Sequence, residues 1–273
     1  MMDILAIISS YLPTLSKSEK KVAQYILSNS DEVVNLSINE LALLSEVGES
    51  TIVRFTRKIG FGGFQDFKKE LIRFESVQTK IDDSLINTPK EVTYAQFVKS
   101  LSETKGFIDE EMILRAAKLL IQARKIYVFA VGTSGITAQH ISNRLMRLDR
   151  TVEYIQDSHL QSINATLTKE DDVVLAISTS GNTKDVLQCI QLAQKNGTKV
   201  ISITNYLKSA ISKLGDISLT ASSKEFPSDS GSFSATISQL YLIDILTKYM
   251  VEQEPSYFHE IRKKTNQALI KRI

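Results

Sequence analysis

Two short stretches of the chain concentrate hydroxyl side chains and glycine. The first is Gly132-Thr133-Ser134-Gly135 and the second is Ser178-Thr179-Ser180-Gly181-Asn182-Thr183. Each follows an apolar, β-branched run, Lys125–Val131 or Asp172–Ile177, and each leads into a helical pattern. Small residues let the backbone approach a ligand closely, and a helix N-terminus behind them presents free N–H groups and a positive dipole end. In the second stretch the hydroxyls of Ser178, Thr179, Ser180 and Thr183 can donate to phosphate oxygens. Neither stretch fits the dinucleotide glycine fingerprint or the P-loop with its lysine. The pair therefore suits a phosphomonoester better than a nucleotide. The plainer alternative is that the hydroxyls merely cap two helices; their occurrence in both loops favours a ligand.

These loops need a sheet to hold them. Further strand-like runs are Thr151–Ile155, Lys199–Ile203 and the weaker Asp216–Leu219, and helical stretches separate most of the five. That alternation predicts a doubly wound, five-stranded parallel sheet of flavodoxin-like type with helices on both faces. The runs at 125–131 and 172–177 are almost wholly apolar, as central strands are. Ligands of such sheets bind beyond the carboxyl ends of the strands, where both hydroxyl loops fall.

The first 77 residues read differently, as helices throughout. Ser16-Lys17-Ser18-Glu19 and Ser37-Ile38-Asn39-Glu40 are capping boxes, and Leu36 and Leu41 take the places of a hydrophobic staple. The second of these helices is expected to reach about Ser45. After the turn Glu46-Val47-Gly48 a further helix is expected from Glu49 to Ile59, with Gly60 ending it. Helix, three-residue turn and helix give the spacing of a helix-turn-helix. Ile52, Phe55 and Ile59 should face the core, leaving Ser50, Thr51, Arg54, Arg57 and Lys58 on or near the opposite side. Residues 54–73 carry six bases against two acids. Such a cluster suits phosphate contacts, and the helix N-terminus, with Glu49, suits base edges. A helical protein-interaction module with a solvated basic face is the alternative.

The 273 residues allow two domains, and 42% apolar and 23% charged residues are ordinary for a globular protein. The polar stretch 78–91 reads as a linker between domains at 1–77 and 92–273. No apolar run approaches the roughly 20 residues of a membrane span. The start of the chain lacks the basic flank of a secretory signal, and Cys189, the single cysteine, lies in an apolar helical stripe with Val186, Ile190 and Ala193. A cytoplasmic location is expected. The net charge of +2 decides nothing about DNA.

Leu15–Ala23, Thr51–Phe61 and Gly63–Lys68 resemble the RpiR/MurR family of bacterial transcription regulators. The resemblance implies that 49–59 is the recognition helix and that operator DNA is the partner. Gly48 departs from the serine cap of many members. Residues 107–250 resemble the sugar isomerase (SIS) domain. Carried over, Ser178, Thr179, Ser180 and Thr183 match the family's phosphate cradle, and Ser134 matches a serine that contacts the sugar phosphate. Asp157-Ser158-His159-Leu160-Gln161 is similar to a segment of the regulators that is expected to line the same pocket, with His159 as a hydrogen-bonding contact. A phosphorylated sugar is thus the expected effector, with no cofactor and no metal.

The rival reading is an aldose–ketose isomerase, which needs a base between adjacent carbons. Ser178–Asn182 also resembles the loop of sedoheptulose-phosphate isomerases, and His140 resembles a histidine on their next helix. Where those enzymes carry a catalytic glutamate, this chain has Arg144, which cannot act as a base. No catalytic residue is therefore assigned. His140 lacks partners for a metal site, and His259 lies in a charged segment and reads as solvated. Asp229 and Thr236 stand where many regulators carry arginines, so contacts to the sugar's distal substituents should differ. Residues 232–251, with Leu240, Leu242, Ile243, Ile245 and Leu246, are more apolar than one packed face needs. They are either buried on several sides or an oligomer interface, and a homodimer or dimer of dimers is expected. The basic tail, Arg262 to Arg272, reads as a solvated end.

Overall fold

The structure, a computed structural model, describes residues 3–77, 88–222 and 233–270. The described residues of the N-terminal part form six α-helices, α1 (Ile4–Tyr11), α2 (Lys17–Ser28), α3 (Ser30–Val33), α4 (Ile38–Leu44), α5 (Glu49–Lys58) and α6 (Phe64–Val77), with a 3-10 turn at Leu12–Thr14. Both capping boxes are formed. Glu19 accepts from the Ser16 N–H at 2.7 Å, and Glu40 accepts from the Ser37 N–H at 2.7 Å. Gly48 is the N-cap of α5 and has no side chain to bond with. Gly60 follows α5 at φ +104°, a left-handed conformation that glycine adopts without steric cost. Val22, Ile26, Leu41, Ile52, Phe55, Phe67 and Leu71 close one core, with Phe55 and Phe61 both edge-on to Phe67. Phe55 and Phe67, both fully buried, each contribute on the order of 1.5–3 kcal/mol.

The second part opens with α7 (Pro89–Phe107) and α8 (Glu110–Gln122). Helix α7 begins inside the stretch read as linker. Thr88 caps it, Glu91 completes the capping box, and Pro89 sits at the first turn, where its missing N–H costs nothing. The remaining linker residues, 78–87, lie outside the described set, as do 223–232 with Asp229.

The sheet follows: β1 (Ile126–Phe129), α9 (Ser134–Arg147), β2 (Val152–Tyr154), α10 (Ser158–Thr166), β3 (Val173–Ser178), α11 (Lys184–Lys195), β4 (Lys199–Thr204), α12 (Ala210–Leu214) and β5 (Ile217–Thr220). All five strands are parallel in the order β2-β1-β3-β4-β5. The apolar runs are explained by the two cores on its faces. Val128, Leu175, Ile177, Ile201 and Leu219 point to one side; Phe129, Val174, Ala176 and Val200 point to the other, where Cys189 is buried. Consecutive residues alternate faces, so a strand covered on both sides has no polar position to spare.

Two helices complete the chain, α13 (Ser234–Gln253) and α14 (Pro255–Ile270). Helix α13 packs against α7, α8 and α9. Leu242, Ile243, Leu246 and Met250 are buried there, while Leu240 and Ile245 are half-buried. Burial on several sides thus accounts for its apolar excess within one chain. Arg262 to Ile270 continue as helix α14.

Candidate functional site

Strand order reverses between β1 and β3, and both hydroxyl loops leave the sheet there. Gly132 at φ +60° turns the first loop into α9, whose first residue is Ser134. Gly181 at φ +64° turns the second loop toward α11. The two meet directly. The Thr179 N–H donates to Ser134 Oγ at 3.2 Å, and their side-chain oxygens lie 3.4 Å apart.

The four hydroxyls of the second loop are not equivalent. Ser178 is buried; its Oγ accepts from the Gly181 N–H at 3.0 Å and lies 2.8 Å from Thr183 Oγ1. It shapes the loop from beneath. Ser180 is exposed; its Oγ accepts from the Asn182 N–H at 3.2 Å and lies 3.5 Å from Ser178 Oγ. Thr179 and Thr183 are half-buried at the rim.

Two buried glutamines and a half-buried tyrosine support this arrangement, and of these only Gln161 fell in a segment expected from the sequence to line the pocket. Gln239 of α13 accepts from Thr137 Oγ1 at 2.9 Å and donates through Nε2 to Asn205 Oδ1 at 2.8 Å and Thr179 Oγ1 at 3.3 Å. Thr179 accepts from Gln239, so its own proton can go to Ser134 Oγ or to a ligand. Gln161 clamps the end of β1, accepting from the Ala130 N–H and donating to the Ala130 and Ile155 carbonyls. Within the segment expected to line the pocket, Gln161 is thus internal, whereas His159 is exposed at the start of α10. Tyr154, at the end of β2, stands over Gly135. A Cβ there would lie 2.6 Å from the phenol oxygen. Burial pushes the Tyr154 pKa up, keeping the hydroxyl protonated and able to donate. An amide or phenol contributed from a distant element carries no local motif.

Arg144 does not face an open site as a free base or acid would. It donates to Asp244 Oδ1 and Thr247 Oγ1, both on α13 and both at 2.5 Å. His140 is exposed on α9. Among the described residues no group of three His, Cys, Asp or Glu is placed to hold a metal ion.

On α5, Glu49, Ser50, Arg54 and Arg57 are exposed. Two of the residues expected beside them behave differently. Thr51 is buried. Lys58 folds back to donate to the Thr14 carbonyl at 2.7 Å and Glu19 at 2.8 Å. The i, i+3, i+4 face that buries Ile52, Phe55 and Ile59 also takes in their neighbours at its margin, an effect a helical period does not resolve.

Sequence relatives agree with both halves. The family described as "Helix-turn-helix domain, rpiR family" matches residues 2–80, and the SIS domain matches 119–249. A Clostridium perfringens HTH-type transcriptional regulator is 37% identical over 265 residues, covering 93% of this chain and 94% of its own. The chain belongs to the RpiR family of helix-turn-helix regulators. Another relative, the regulator HexR of Escherichia coli, is 32% identical, with 98% of this chain and 94% of its own covered. Among solved structures, that of the Vibrio vulnificus NanR protein complexed with ManNAc-6P shares 30% identity and superimposes with a TM-score of 0.64 over 99% of each chain. The sugar isomerase domain of an RpiR transcription factor from Sphaerobacter thermophilus shares the fold, with TM-score 0.61 at 15% identity over 66% of this chain and 99% of its own. As an RpiR-family regulator, the chain has no described helix long and apolar enough to cross a membrane.

Proposed function

We propose that this regulator controls sugar-metabolism genes through an operator that α5 reads, and that a phosphorylated sugar bound at the 178–183 loop sets its operator affinity. The carrying observation is the pairing of that loop with Ser134 at the strand-order reversal, with the Ser180 hydroxyl exposed and those of Thr179 and Thr183 half-buried. Residues 3–77 would hold the DNA and the chain from Thr88 onward the effector. The NanR relative, complexed with ManNAc-6P, makes an N-acylated hexosamine 6-phosphate the first candidate. The sugar is bound and not converted, because Arg144 is engaged as a strut between α9 and α13.

A homodimer is the expected working form. With α13 buried inside the chain, its interface falls instead to α9 and α10 beside the edge strand β2. There Ile136, Met146, Leu160, Ile163 and Leu167 are exposed. Two-fold symmetry would then match a palindromic operator.

Thermal-shift measurement against hexose, pentose and amino-sugar phosphates tests the reading. A sugar phosphate present at 100 times its dissociation constant adds about 2.7 kcal/mol of stability. Equal stabilisation by the phosphorylated and dephosphorylated sugar would reduce the loops to helix caps.

A further inference from the structure

After β4 the chain turns through Asn205–Ser209 before entering α12. This turn is fastened to the 178–183 loop at both of its ends. The Asn205 N–H donates to the Thr179 carbonyl at 3.2 Å, and Asn205 Oδ1 shares Gln239 Nε2 with Thr179 Oγ1. The Ala210 N–H donates to Asn182 Oδ1 at 3.2 Å, and the Ile211 N–H to the Gly181 carbonyl at 2.9 Å. Gly181 leaves no room between the two segments: a Cβ on it would lie 2.1 Å from Ser209 Oγ. The turn is also braced internally. Thr204 Oγ1 donates to the Tyr206 carbonyl at 2.9 Å, and Ser212 Oγ donates to the Leu207 carbonyl at 3.1 Å. Asn205, Ser209 and Gln239 are all buried.

The outer side of the same turn touches the helix-turn-helix part. Leu207 packs against its core, and the Lys208 ammonium lies 5.0 Å from the centre of the Tyr11 ring. Tyr11 ends α1, is buried, and belongs to the cluster that contains Ile52 and Phe55 of α5. A cation over a tyrosine face and an aliphatic side chain in an apolar cluster are both attractive contacts, and both are short-ranged enough to register a shift of the turn.

We propose that the Asn205–Ser209 turn is the joint through which the helix-turn-helix part senses the 178–183 loop, with Leu207 and Lys208 as its contact surface. The proposal rests on the phosphate reading given above. Close-packed segments do not deform smoothly, so a ligand that moves Thr179–Asn182 carries Asn205 and Ser209 with it. The displacement reaches Tyr11 through Leu207 and Lys208, and from Tyr11 the shared core reaches the back of α5. Coupling is reciprocal: whatever loosens the Tyr11 contact must also be felt at Thr179.

Hydrogen exchange on the full chain tests this, with the double variant Leu207→Ala/Lys208→Ala beside the wild type. Without ligand, the variant is expected to exchange faster at 178–183 and at 4–15 by a factor of about five or more, the lower end of ordinary coupling between sites. Unchanged exchange at 178–183 overturns the joint. With inorganic phosphate as probe, the wild type is expected to be protected in both windows and the variant at 178–183 alone. Protection of α1 that survives in the variant also overturns the joint. If phosphate protects neither window of the wild type, the phosphate reading fails. The ligand-free comparison then still decides whether the joint exists.

Discussion

Arg144 of α9 and Asp244 of α13 form an ion pair at 2.5 Å, and Lys248 reaches the other oxygen of the same carboxylate at 2.7 Å. The hydrogen bond from Lys248, together with the charge of Arg144, holds the Asp244 carboxyl below its ordinary pKa. Arg144, which the resemblance sets where isomerases carry a glutamate, is thus engaged as a structural cation. The three groups are more than a third exposed, so the pair itself contributes at most about 1 kcal/mol. Arg144→Ala should lower stability to urea by that amount or less. Arg144→Glu should lower it further by setting like charges together, without creating isomerase turnover detectable by NMR.

Glu19 and Lys58 link α2 to α5 at 2.8 Å. Partial burial pushes the Glu19 carboxyl up, but hydrogen bonds from Lys58 and Ser16 and the charge of Lys58 bring it below its ordinary value. A depressed folded-state pKa contributes stability that is present at neutral pH. That stability is lost as the pH falls from about 4.3 through the folded value. Glu19→Gln should flatten the acid limb of thermal unfolding in the helix-turn-helix part. An acid limb identical to that of the wild type would show that the pair is not linked to folding.

Arg54 and Arg57 remain exposed on α5, whereas Lys58 is committed to Glu19. Arg54→Ala and Arg57→Ala should each weaken operator binding with the fold intact. A base-edge contact costs about 1–3 kcal/mol, and a phosphate contact lowers the salt slope by about one. Lys58→Ala should instead act mainly through stability, which chemical denaturation would separate from DNA affinity.

Gly181→Ala combines a left-handed φ of +64° with a Cβ lodged against Ser209. The cost should exceed the roughly 1 kcal/mol at stake when glycine is replaced at a compatible position. Sugar-phosphate binding should fall with it. Full ligand affinity in this variant would mean that the loop conformation is not the binding conformation.

The sheet and both capping boxes were legible because each obeys a short-range rule. Each of the five runs meets a strand, with β3, β4 and β5 ending one residue beyond their runs, and Ser16 and Ser37 cap the helices expected of them. The hydroxyl-rich loop at 178–183 stood out through its local density of Ser, Thr and Gly. Its supports did not. Gln239 lies 60 residues from Thr179 in sequence, and only the packing of α13 across the sheet brings them together. Thr51 and Lys58 were placed on an open face by helical period alone, which says nothing of Glu19 on another helix. The helix starting at Pro89 was hidden by a polar face and a proline that otherwise signals a break.

The central claim is that a phosphorylated sugar, bound and left intact, resets operator affinity. Fluorescence anisotropy of labelled operator DNA tests it directly, titrated with the regulator alone and with saturating ManNAc-6P, related sugar phosphates or their dephosphorylated forms. The expected result is a change in operator affinity of about five- to 150-fold with one phosphorylated sugar and none with its dephosphorylated counterpart. An operator affinity indifferent to every phosphorylated sugar, or moved equally by the dephosphorylated ones, would contradict it.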